Sequence, residues 1–168
     1  MRKITIWFIV LFSLFLAGCN NQEKEISSII NTPDKIIVYK EGNQEEIEKS
    51  NLNFNKIAEL TNDRIDKKNI SVVKDGVDID KFVKESMKNN LGIEFVYDEE
   101  QKMDIRNKEG IQPINYYRLY FNLKSDKAYE SECFQYGDKG GYVDSSRGPL
   151  KPSEDILNVI WKSRYISN

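Results

Sequence analysis

Hydrophobic positions change period several times along the chain, and each change predicts an element. Ile4 to Leu16 is almost wholly apolar, broken only by Thr5 and Ser13. Asn20 to Pro33 is polar apart from Ile26, Ile29 and Ile30. Thr32-Pro33-Asp34 then signals a turn, because proline biases the preceding residue away from helix. Lys35-Ile36-Ile37-Val38-Tyr39 is β-branched and aromatic and predicts a strand. Glu41-Gly42-Asn43 turns the chain into a second arm over Gln44 to Glu48. Phe54, Ile57, Ala58, Leu60 and Ile65 recur at helical spacing, predicting a helix capped by Asn51 or Asn53 and reaching about Lys67. Ile70 to Val73 reads as a short strand. A second helix follows from about Ile79 to Asn90, with Phe82, Val83, Met87 and Leu91 inward and Gly92 suited to the left-handed closing position.

In the second half the period of two dominates. Ile93 to Tyr97 is a strand, Asp98 to Gln101 is polar enough for a hairpin tip, Lys102 to Arg106 is its return arm and Asn107 to Pro113 a loop. Ile114 to Leu123 is the strongest strand. Leu119, Phe121 and Leu123 share one face with Tyr117, and Ile114, Tyr116 and Tyr120 share the other with Arg118. Apolar character on both faces predicts a central strand covered on each side. Tyr129 to Tyr136 is the next strand, the turn Gly137-Asp138-Lys139-Gly140-Gly141 follows, Tyr142 and Val143 start one more, and Ser145 to Pro152 is loop. Ser153 caps a last helix with Ile156, Leu157, Ile160, Trp161 and Tyr165 as its apolar stripe. The fold class expected is α+β, a mainly antiparallel sheet of about five to seven strands with three helices, because helices and strands are not strictly interleaved.

The first apolar run has a different meaning. Arg2 and Lys3 precede it and small residues close it, the order of a secretory signal. A spanning helix needs about 20 apolar residues, and this run is shorter. Its end, Leu16-Ala17-Gly18-Cys19, resembles the lipobox of bacterial lipoproteins. The resemblance implies cleavage between Gly18 and Cys19 and a diacylglyceryl group on the Cys19 thiol. The expected organisation is residues 1–18 as signal peptide, 19–34 as lipidated cysteine and tether, and 35–168 as a single α+β domain. Each buried methylene contributes about 0.8 kcal/mol, so two acyl chains anchor stably where one does not. The abundance of Lys, Ile and Asn suggests a low-GC Gram-positive bacterium, where the outer face of the cell membrane is the destination.

Charge and composition narrow the partners. The chain of 168 residues carries a net charge of −2, and without Arg2 and Lys3 it has 23 basic against 27 acidic side chains. A mildly acidic surface argues against nucleic acid and against a polybasic grip on lipid. The absence of histidine removes Ser-His-Asp and Cys-His catalysis and His-based zinc sites. Cys133, the one cysteine besides Cys19, has no internal disulfide partner once Cys19 is lipidated, and beside Phe134 it reads as a small buried hydrophobe.

Other candidate chemistry is thin. Gly137 to Gly141 lacks the spacing and the Lys-Ser/Thr end of a phosphate loop and reads as a turn. Asp75, Asp78 and Asp80 fail the calcium-loop pattern, whose sixth and twelfth positions would be Asp80 and Ser86. Asp98, Glu99, Glu100 and Asp104 form an acidic knot that reads as solvated. Tyrosines crowd the last third of the chain, and Tyr116, Arg118 and Tyr120 are the candidate interaction surface, with core packing as the competing account. No cofactor and no metal is expected. The function these features imply is a membrane-anchored extracytoplasmic binding or regulatory module, its partner a protein or an envelope component. The alternatives are an envelope-acting enzyme working through Asp98, Glu100, Asp104 or Cys133, and a small-solute binder.

Overall fold

The computed structural model describes residues 29–66, 68–74, 78–107, 110–125 and 128–165. Cys19 and the rest of the lipobox lie outside these. In chain order the elements are β1 (Lys35–Lys40), β2 (Asn43–Ile47), α1 (Phe54–Asp63), β3 (Ser71–Lys74), α2 (Ile79–Asn89), β4 (Leu91–Asn107), β5 (Gly110–Lys124), a 3-10 turn (Ala128–Glu132), β6 (Phe134–Gly137), β7 (Tyr142–Gly148) and α3 (Glu154–Tyr165). Among the described residues the fold is α+β, with three helices on one seven-stranded sheet in the order β2-β1-β4-β5-β6-β7-β3. All its pairings are antiparallel.

Local chemistry accounts for most of the boundaries. Glu41 and Gly42 have φ of 50° and 81°, the left-handed pair that a two-residue hairpin turn requires between β1 and β2. Asp78 accepts the Lys81 N–H at 3.0 Å and caps α2. Helix α1 stops at Asp63, short of Lys67, because Ile65 leaves the helix to form a bridge with Leu150. Ser153 stands at the start of α3, its carbonyl accepting the Leu157 N–H at 3.1 Å. Its hydroxyl donates to the Leu123 carbonyl at 2.6 Å and ties the start of the helix to the end of β5.

The largest departure from the expected elements is one long hairpin. Strand β4 runs through Asp98–Gln101 to Asn107, and β5 begins at Gly110. Val96 pairs with Arg118 and Gln101 with Tyr116, so four residues, Tyr97 to Glu100, stand opposite Tyr117 alone. This bulge absorbs the acidic stretch without ending the strand. Beyond it Met103 and Ile105 alternate inward against Ile114 and Tyr116. Pro113 pairs with Asp104 of β4 but lies outside Arg118–Phe121, where β6 pairs with β5, so β5 is an edge at this point and tolerates proline. Two further expectations shift. Tyr129–Glu132 forms a 3-10 turn rather than strand, and β7 continues to Gly148 where a loop was expected.

The sheet buries both faces. On one, α1 and α3 supply Phe54, Ile57, Ile156 and Ile160 to a core with Ile36, Val38, Ile93, Phe95, Leu119 and Phe121. On the other, α2 lays Ile79 and Val83 against Tyr120 and Tyr142, with Tyr39, Phe82 and Met87 beside them. β5 is fourth of the seven strands and covered on both sides. Ile29 and Ile30, the first described residues, donate their N–H groups to Asn62 Oδ1 at 2.6 and 3.1 Å, and Ile30 is buried in the main core.

Candidate functional site

Strand alternation places a carboxylate inside the fold. Ile93 and Phe95 face the main core, so Glu94 between them faces α2 and is 3 % exposed. Its oxygens accept the Tyr39 hydroxyl at 2.8 Å, the Tyr142 hydroxyl at 2.7 Å and the Arg118 guanidinium at 3.4 Å. Burial and then the Glu94 charge hold the Tyr39 and Tyr142 hydroxyls above their ordinary pKa. Tyr120 stands edge-on to both rings, at centroid distances of 6.3 and 6.2 Å. Helix α2 is fastened over this cluster by Asp80, which accepts the Tyr142 N–H at 3.2 Å and pairs with Lys84 at 2.5 Å. With three donors on its oxygens and a helix above it, Glu94 is a structural clasp.

The candidate interaction residues are not brought together on one exposed surface. Tyr116 lies in the main core at 1 % exposure, while Tyr120 is fully buried on the opposite face under α2. The reason is a phase change in β5. Tyr117 and Arg118 are both half-buried where the β4 bulge passes, so Tyr116 and Tyr120 face opposite sides despite their even spacing. Arg118 is spent on Glu94 and on the Lys139 carbonyl at 3.4 Å.

The acidic knot is spread along β4. Asp98, Glu99, Glu100 and Asp104 are exposed, and Asp104 pairs with Lys102 at 3.4 Å. No group of three or more His, Cys, Asp or Glu able to hold a metal ion occurs among the described residues. Cys133 is buried at 4 %, accepting the Gln135 amide at 3.3 Å and donating to the Glu130 carbonyl at 3.5 Å. In the Gly137–Gly141 segment, Asp138 Oδ1 accepts the N–H groups of Gly140 and Gly141 at 2.7 and 3.0 Å, the geometry of a turn.

Arg64 and Asn122 are among the buried polar residues that the sequence reading does not single out. Arg64, just past α1, is 3 % exposed and donates to the carbonyls of Lys151 and Ser131 at 2.8 and 2.5 Å. Burial pulls its pKa down to about 10. It crosslinks segments 67 and 87 positions away along the chain, a role that no local pattern signals. Asn122 is fully buried on the α2 face, and neither end of its amide has a hydrogen-bond partner among the described residues.

Groups left open to solvent gather elsewhere, at the end of the sheet where β1 stops. Lys40 pairs with Leu91, and Leu91 with Lys124, so the three form one row across β1, β4 and β5. Over this row lies a cleft of about 190 Å³, also lined by Glu41, Asn89, Asn90, Ser125 and Trp161. The Trp161 indole is 38 % exposed, and the Lys40 ammonium stands 4.5 Å from its ring centre. Helical spacing had marked Trp161 as part of an inward stripe. Ile156 and Ile160 fill that role, and Trp161 falls at its margin beyond the last strand pair. An indole, two ammonium groups and two amides can stack on, ion-pair with and hydrogen-bond a small polar molecule. No protein-family model, curated protein or solved structure matches this chain.

Proposed function

We propose that this protein is a lipid-anchored binding module on the outer face of the cell membrane, held by a diacylglyceryl group on Cys19. The observation that carries the reading is the opposition of two ends. The first described residues, Ile29 and Ile30, are held by Asn62, and Asp34 bonds Val96 next to the start of β1. The cleft beside Trp161 lies at the other end of β1, whose six residues span about 20 Å. A tether leaving one end therefore presents the other away from its anchor. Binding is favoured over catalysis because two of the buried charged groups, Glu94 and Arg64, are occupied in holding elements together. The partner in this reading is a protein or a component of the envelope.

The test is membrane fractionation with intact mass of the wild type beside Cys19→Ser in a Gram-positive host. A membrane-bound chain beginning at Cys19 with added diacylglyceryl mass, lost in the variant, is the expected result. A soluble, unlipidated wild type would overturn the anchor.

A further inference from the structure

We propose that the cleft formed by the row Lys40–Leu91–Lys124 and walled by Trp161 is a binding site for one anionic group, a carboxylate or phosphate, on a small polar molecule. The proposal rests on the reading of the protein as a binding module and names what the module takes.

The register carries the argument. Lys40 and Lys124 are the partners of Leu91 on the strands either side of it, the second across a β-bulge at Leu91, so their backbones stand about 10 Å apart, two strand spacings. Both line the same cleft. A lysine stem of four carbons reaches half that gap, so both ammonium groups can converge on one anion above Leu91. The sheet ends at this row, and Asn89 and Asn90 at the end of α2 close a further side with amides. Trp161 adds an apolar wall. Lys40 already rests on that wall, which holds its ammonium near the cleft instead of leaving it loose in solvent. The site is basic on a chain whose net charge is −2, so its sign is a local arrangement and not a general property of the surface.

Two features limit the ligand. A volume of about 190 Å³ is below the usual range for drug-sized ligands, so the cleft takes one headgroup or one sugar-sized unit. Glu41 also lines the cleft and opposes the two lysines. Its repulsion weakens binding of any anion and gives the test a substitution with an effect of opposite sign.

The experiment is a titration of the full chain in detergent, followed by the fluorescence of Trp161. Trp7, the only other tryptophan, lies in the expected signal peptide, and Trp161→Phe gives the signal of any chain that retains it. Glycerol 3-phosphate and glucuronate are the anionic probes, one for each source of the charge, with glycerol and glucose as their neutral counterparts. At least one anionic probe is expected to saturate the signal by about 10 mM, where a site of millimolar affinity is about nine-tenths filled. Which probe does so separates a phosphate ligand from a carboxylate one. Lys40→Gln and Lys124→Gln are each expected to weaken binding about tenfold, and Glu41→Gln to strengthen it severalfold. These side chains are at the surface, so circular dichroism should show unchanged folds. No response to either anion, an equal response to the neutral probes, or binding indifferent to both lysines would overturn the proposal. The titration is done in solution and anchoring is read by fractionation, so either can fail without the other.

Discussion

Gly92 lies directly beneath the ring of Tyr120. A methyl group built on Gly92 would stand 2.6 Å from the Tyr120 Cζ, closer than packed atoms approach. The glycine is therefore required by a neighbouring side chain, since its own φ is ordinary and it sits inside β4. Gly92→Ala is expected to destabilise the fold by about 1–3 kcal/mol, the usual range for overpacking. Urea unfolding measures it. A loss under about 0.5 kcal/mol would mean that Tyr120 can move aside.

Removing the Glu94 carboxylate leaves the buried Tyr142 hydroxyl and the half-buried Tyr39 hydroxyl without their acceptor. Each such loss costs about 1–3 kcal/mol, so Glu94→Ala should lower stability by at least about 2 kcal/mol. Arg118→Ala should cost less than Glu94→Ala, because that pair is long at 3.4 Å and the carboxylate keeps both tyrosine hydroxyls. Equal losses from the two substitutions would contradict the assignment of the clasp to the tyrosines.

Alkali should unfold the protein steeply. Burial raises Tyr116 to about 12 and pushes Tyr39, Tyr97, Tyr120 and Tyr142 upward as well. Unfolded tyrosine ionises near about pH 10. Above that pH the folded state holds more protons than the unfolded one, so stability is full below it and falls as pH rises through the folded values. Thermal melts from about pH 8 to 12 should show a flat region followed by a drop. A flat profile throughout would show that these hydroxyls are not protected.

Cys133 should react only when the fold opens. In a Cys19→Ser background, where it is the sole thiol, a disulfide reagent should modify it slowly under native conditions and at once in urea. Rapid native labelling would place the thiol at the surface and restore it as a candidate nucleophile.

The elements were legible where a period was sustained. Lys35–Tyr39 is a β-branched and aromatic run, and the 54–63 helix, the 79–89 helix and the Leu119–Leu123 face carry helical spacing or alternation. Reading failed at Asp98–Gln101, where four consecutive polar residues look like a turn. A bulge opposite Tyr117 lets them stay in the strand, because the inward pattern resumes at Met103 and Ile105. The same bulge undid the expected Tyr116–Arg118–Tyr120 face, since a phase change cannot be seen by counting along one strand. Gly92 was misread for a related reason. A glycine after a helix fits a C-terminal cap, and only the ring of Tyr120 reveals that a side chain has no room there.

From the sequence alone came the class of fold, the central place of β5 and the burial of Cys133, since each follows from local propensity and apolar period. The order of the strands, the clasp around Glu94 and the row of Lys40, Leu91 and Lys124 came only with the tertiary structure. Each depends on residues far apart in the chain meeting across the sheet. Cross-strand register decides which of them meet, and register is a property of pairs of strands that no single segment encodes.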